Sequence, residues 1–106
     1  MVKRFEVYLV NLDPQPSKDA KNTRPAVIIS PDEMNDNLEN VIIAPLSSSK
    51  LKYPTRISTQ FLNGERTIVL DQIKTIESQR LVKKIGEIDA RTRKETLARL
   101  NEMFAE

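Results

Sequence analysis

Phe5-Glu6-Val7-Tyr8-Leu9-Val10-Asn11-Leu12 sets Phe5, Val7 and Leu9 on one side of an extended chain and Tyr8, Val10 and Leu12 on the other. Apolar side chains on both faces over eight positions describe a strand covered on two sides, as in a barrel or a sheet core. Asp13-Pro14-Gln15-Pro16-Ser17 ends it, because proline lacks the ladder N–H and restricts the residue before it. Asp13 to Arg24 then reads as a polar loop longer than a hairpin needs, the kind that often carries function. Pro25 to Ser30 is a second strand stopped by Pro31, and Asn40 to Leu46 a third, with Pro45 marking its exit from the sheet interior. Between them Asp32 to Asn35 predicts one helical turn, capped by Ser30 or Asp32.

Further along, Thr55 to Phe61 and Thr67 to Leu70 flank Leu62-Asn63-Gly64-Glu65, whose Asn-Gly is a hairpin signal. Short strands are expected around Ile73 to Ile76 and over Val82 to Glu87. Asp89 then caps a run in which Leu97, Leu100 and Phe104 stand at i, i+3 and i+7. That spacing predicts a terminal helix of roughly four turns with one stripe against the sheet. The fold class is mainly β: a small curled barrel of five to seven short strands with a helical turn and a C-terminal helix. A layered α/β fold would need a helix after each strand.

The 106 residues are the length of one domain, and no repeat or linker divides 1–106. With 39% hydrophobic and 30% charged residues the chain is too apolar for disorder. No apolar run reaches the ~18–20 residues of a membrane helix, and no signal peptide precedes Lys3 and Arg4, so the expectation is a soluble cytoplasmic protein. Zero cysteines exclude disulfides, thiolate nucleophiles and zinc–sulfur sites; zero histidines exclude imidazole catalysis. Catalysis therefore falls to Arg, Lys, Asp, Glu, Ser, Thr or Tyr; no cluster of metal ligands stands out in the sequence, and no cofactor is expected. The 17 basic and 15 acidic side chains give a net charge of +2 and a pI near 9.0, compatible with a nucleic-acid partner. A core this small makes a homodimer a reasonable way to bury more surface.

Four blocks, in order and spanning nearly the whole chain, resemble the MazF/PemK toxins of type II toxin–antitoxin systems. They are Glu6 to Pro14, Thr23-Arg24-Pro25-Ala26-Val27-Ile28-Ile29-Ser30-Pro31, Ile42-Ile43-Ala44-Pro45-Leu46-Ser47, and Val69-Leu70-Asp71-Gln72-Ile73-Lys74-Thr75-Ile76 followed by Arg80-Leu81. The resemblance implies an SH3-like barrel of the CcdB/PemK type and a homodimer. It also implies a metal-independent endoribonuclease for single-stranded RNA, partnered by a small MazE/PemI-like antitoxin that occupies the RNA groove.

Arg24 matches the family's catalytic Arg-Pro motif, and a guanidinium offers a fork of donors to phosphate oxygens. A guanidinium that stays charged suits charge stabilisation better than proton abstraction. Ser47 stands where many members have a catalytic threonine; which of Ser47, Ser48 and Ser49 points inward is open in the sequence. Asp19 keeps the acidic position of the family's Gly-Ser-Glu or Gly-His-Glu stretch, which makes it a candidate catalytic or orienting group, although Pro16-Ser17-Lys18 replaces its surroundings. Asp71 matches an aspartate that acts in one branch, whose companion arginine is Val69 here; Asp71 and Gln72 serve either as orienting groups or as turn pins. Lys18, Lys21, Lys74 and Arg80 are expected RNA-phosphate contacts, or simply solvated cations. Tyr8 and Tyr53 read as packing residues before base-stacking ones.

Two other readings stand beside the ribonuclease. A CcdB-like toxin on the same fold would bind a protein such as DNA gyrase and cleave nothing, but it relies on a C-terminal tryptophan, and this chain has none. A non-catalytic SH3-like module would be indifferent to loss of Arg24.

Overall fold

The computed structural model describes residues 1–12, 22–48 and 53–105. Seven strands form one curled sheet: β1 (Glu6–Asn11), β2 (Thr23–Ile28), β3 (Asn40–Ser47), β4 (Arg56–Phe61), β5 (Gly64–Val69), β6 (Lys74–Glu77) and β7 (Leu81–Glu87). A short helix α1 (Asp32–Asn37) joins β2 to β3, and α2 (Ala90–Phe104) closes the chain. Strand order is β4-β5-β3-β2-β1-β7, with β6 added beside β3, and every pairing is antiparallel. The expected small barrel with a terminal helix is what the structure has.

Apolar residues on both strand faces build two clusters. Val27 and Ala44 join Val7, Leu46, Ile57, Ile68 and Leu70 on one side; their neighbours Ala26, Ile28 and Ile43 join Val10, Val41 and Leu81 on the other. The period of two thus serves two cores with one sheet. Curling comes from β7, whose register against β1 slips twice, between Val7/Tyr8 and between Leu9/Val10. Such bulges bend a strand and tighten its twist. They bring the far edges of the sheet together: a Cβ at Gly86 of β7 would lie 2.7 Å from the Phe61 ring of β4.

Three local expectations change. Pro45 does not leave the sheet but pairs with Ala26 in β3. Ile42 turns its N–H and carbonyl toward the β2 side, so alternation sends the Pro45 nitrogen to the other edge. There β6 has ended at Ile43↔Lys74 and β5 begins at Leu46↔Ile68, so no ladder bond is lost. The hairpin turn is centred on Leu62-Asn63, both at positive φ (53° and 58°), while Gly64 pairs with Phe61 as the first strand residue. A two-residue turn of type I′ has that conformation at both central positions, and the register left Leu62 to adopt it. Finally, α1 has Pro31 at its N-cap and no side-chain cap. The Ser30 hydroxyl instead donates to Asn35 Oδ1 and accepts from the Ile42 N–H, tying the helix to β3.

Helix α2 is capped as expected, with the Asp89 carboxylate accepting from the Thr92 N–H at 2.8 Å. Its buried stripe differs. Thr92, Thr96, Leu100 and Met103 face the sheet, while Leu97 and Phe104 are exposed, Phe104 by 71%. A threonine with a bonded hydroxyl packs much like valine, and both are bonded: Thr92 Oγ1 lies 3.2 Å from Thr59 Oγ1 on β4, and Thr96 Oγ1 donates to the Thr92 carbonyl. Among the described residues no helix is long and apolar enough to cross a membrane.

Candidate nucleic-acid interface

The start of β2, the end of β3, the β4–β5 hairpin and the 3-10 turn Leu70–Gln72 surround a cavity of about 670 Å3. Arg24, Ser47, Ser48, Arg56, Arg66 and Gln72 form its polar wall; Pro25, Pro45, Leu46, Leu62 and Val69 form the apolar part. Three guanidiniums thus face one concavity, and among the described residues no carboxylate lines it. A concave surface lined by one sign of charge concentrates the opposite charge.

Each side chain is delivered by a specific piece of the fold. Arg24 is the second residue of β2, opposite Val10 of β1, with its side chain exposed and Nη1 donating to the Thr23 carbonyl at 3.0 Å. Pro25 follows it within the strand, opposite Leu9, so the Arg24 backbone is held in extended geometry on both sides. Ser47 is the last residue of β3, opposite Thr67 of β5, and half-buried; Ser48 is exposed beyond the strand end. Gln72 ends a turn anchored by Leu70, which is fully buried and whose N–H reaches the Thr55 carbonyl. With Leu70 inside, Asp71 and Gln72 are left on the surface.

Arg56 and Arg66 belong to this site although sequence reasoning passed over them. Arg56 alternates with Ile57 and Thr59, both buried, so its outward direction was readable; its neighbours in space were not. It forms a two-point ion pair with Asp71, Nε to Oδ1 at 3.3 Å and Nη2 to Oδ2 at 3.5 Å. The Thr55 hydroxyl donates to the same Oδ1 at 2.9 Å. The hydrogen bonds from Arg56 outweigh desolvation and, helped by the smaller effect of the Thr55 hydroxyl, hold the Asp71 carboxyl below its ordinary pKa. On its other side the Arg56 guanidinium lies 5.0 Å from the centre of the Tyr53 ring.

The remaining expected residues lie elsewhere. Lys74 is exposed on β6, opposite Ile43, off the cavity wall. Arg80 donates from Nη1 to the Asn11 carbonyl at the end of β1, next to the hydrogen bond from the Leu12 N–H to the Asn22 carbonyl. Lys18, Asp19, Lys21 and Ser49 lie outside the described residues. Tyr8 is half-buried, its hydroxyl 3.5 Å from Glu6. No group of three or more Asp or Glu side chains that could hold a metal occurs among the described residues.

A small curled barrel with a guanidinium-lined pocket at its strand ends has well-defined relatives. The sequence model of the PemK-like, MazF-like toxins of type II toxin–antitoxin systems matches residues 3–104. An endoribonuclease MazF of Staphylococcus epidermidis is 33% identical over 91 residues, 80% of this chain and 76% of that protein. The chain belongs to the PemK-like, MazF-like toxin family. Two solved structures share its fold. A mycobacterial endoribonuclease in complex with its cognate antitoxin superposes with a TM-score of 0.80 at 21% identity, over 96% of this chain and 93% of that one. A MazE–MazF complex of Deinococcus radiodurans gives 0.80 at 17% identity, over 98% and 95%.

Proposed function

We propose that this chain is the toxin of a toxin–antitoxin pair, a cytoplasmic, sequence-specific and metal-independent endoribonuclease that cuts single-stranded messenger RNA and so stops translation and growth. The observation that carries this reading is the meeting of Arg24 and the Ser47 hydroxyl in one cationic pocket, with Gln72 beside them. Family membership and the name of the staphylococcal relative support it.

RNA supplies its own nucleophile. The 2′-OH attacks the adjacent phosphorus, the bond to the 5′-oxygen breaks, and the products end in a 2′,3′-cyclic phosphate and a 5′-OH. Negative charge builds on the phosphoryl oxygens on the way, and donors placed for that charge lower the barrier. Arg24 fills this role with a forked, permanently charged group and donates a hydrogen bond to the leaving 5′-oxygen, while the proton lost by the 2′-OH passes to water and the 5′-oxygen takes one from water. Ser47 adds a second donor to a phosphoryl oxygen. Gln72 and Asp19 are assigned as orienting groups for the reaction, and Lys18 and Lys21 as contacts to RNA phosphates. Lys74 and Arg80 add long-range attraction for the backbone rather than contacts at the cut.

The functional unit is a homodimer, and its second partner is an antitoxin of the MazE/PemI kind. An acidic, partly disordered antitoxin segment competing with RNA for the pocket accounts for inhibition. The test is a long mixed-sequence RNA incubated with the purified protein in EDTA, with end-group mapping. Discrete cuts carrying cyclic phosphate ends support the reading. A strict magnesium requirement contradicts the mechanism, and no cutting by folded dimer moves the assignment to a toxin that binds a protein target.

A further inference from the structure

Arg56 is the most constrained cation of the pocket. Its side chain is 14% exposed, its Nε and Nη2 are bound to Asp71, and Tyr53 lies against its face. Among the described residues Nη1 is the one nitrogen of the guanidinium with no partner, and Arg56 lines the cavity that Arg24 also lines. Asp71 does not line that cavity. A guanidinium fixed in this way keeps donors aimed at a ligand without ordering a long side chain on binding.

We propose that Arg56 forms a second phosphate subsite, separate from the one at Arg24, and that Asp71 and Tyr53 are positioning residues that hold its fork in place. The inference rests on the RNA reading above and deepens it: the pocket holds two phosphates of one strand, the reacting one at Arg24 and a flanking one at Arg56. Two considerations support it. Three guanidiniums spread along one wall suit a polyanion crossing it, because different phosphates of one strand can each meet a cation. The pairing with Asp71 also has a purpose beyond charge balance, since it occupies one edge of the guanidinium and leaves the other edge to the cavity. Asp71 then acts through Arg56 and does not touch RNA.

The chain provides its own reporter. It has no tryptophan and two tyrosines, and only Tyr53 stacks on Arg56. Inorganic tripolyphosphate is transparent where tyrosine absorbs. Titrating it into the full-length protein is expected to give a saturable change in tyrosine emission that single-stranded RNA competes away. The change should persist in Arg24→Ala, vanish in Tyr53→Phe, and weaken about tenfold in apparent affinity in Arg56→Gln, as expected for one charge-assisted bond. Arg56→Lys keeps the charge and loses the fork, so it should also bind more weakly, and it serves if Arg56→Gln does not fold. Asp71→Asn should weaken binding although it makes the site more positive, an outcome that a purely electrostatic role reverses. No saturable change in the wild type, or unaltered affinity in folded Arg56→Gln or Arg56→Lys, overturns the subsite. RNA cleavage with no response at Tyr53 removes the subsite alone; a Tyr53 response without RNA cleavage or competition removes the ribonuclease reading.

Discussion

Ser47 and Ser48 are consecutive, yet the end of β3 separates them: Ser47 still pairs with Thr67 and is half-buried, and Ser48 is exposed. If the hydroxyl at Ser47 steadies the phosphoryl oxygens, Ser47→Ala should slow cleavage by roughly 10²–10³-fold with little change in RNA affinity, the usual effect of losing one such donor. Ser48→Ala should cost less, and single-turnover kinetics on one RNA would rank the two. Asp71 supplies a pH expectation. Its carboxyl is held below the ordinary range by Arg56, so the pair is intact above about pH 4 and is lost only as pH falls through the lowered value. A pH–rate profile should therefore show no inflection from Asp71 between about pH 5 and 8. Arg24, Ser47 and Gln72 were legible in the sequence because each sits in a block whose neighbours repeat a known pattern. Arg56 was not, since a lone arginine in a strand is ordinary surface until its partners fifteen and three residues away are known to close on it. The companion arginine missing at Val69 gave a hint, because Arg56 stands directly opposite Val69 in the ladder.

At the scale of elements, α2 depends on its first turn and β7 on its bulge. Asp89→Ala should remove the cap on the Thr92 N–H and cost about 1 kcal/mol, read as a lower denaturation midpoint with an unchanged slope. Gly86 has φ of 156° and no room for a side chain against Phe61, so Gly86→Ala should destabilise by about 1–3 kcal/mol through overpacking. Strands were readable where both faces were apolar, as in β1 and β3, because those runs are short, rich in β-branched residues and bounded or interrupted by proline. The helix stripe was misread for a specific reason. Thr92 and Thr96 count as polar by composition, and only the Thr59 hydroxyl across the interface and the Thr92 carbonyl make them core residues. The turn at Leu62-Asn63 was placed one residue late, because Asn-Gly is the stronger local signal and the register of β4 on β5 overrode it.

For the molecule as a whole, the strands that curl it are also pinned by charge. Lys84 Nζ lies 2.7 Å from Glu6 Oε2, joining β7 to β1, and the Lys3 N–H bonds Oε1 of the same buried carboxylate. Burial pushes the Glu6 carboxyl up, but the hydrogen bonds from Lys84 and Lys3 outweigh it and leave the pKa lowered; the hydrogen bond with Glu6 raises that of Lys84. A lowered carboxyl contributes stability above about pH 4 that disappears as pH falls through its folded value, and a raised ammonium contributes below about pH 10 and is lost above it. Denaturant melts across pH should therefore show a plateau between those limits, and Glu6→Gln should lower the plateau and flatten the acid limb. The same barrel presents Arg24 at the edge of a cationic pocket, and the whole account turns on what Arg24 does there. The most direct measurement compares the wild type with Arg24→Ala on one long mixed-sequence RNA in EDTA, with circular dichroism confirming that both are folded. The account requires discrete cuts with 2′,3′-cyclic phosphate ends from the wild type and none from the variant. Equal cutting by the two proteins would contradict it.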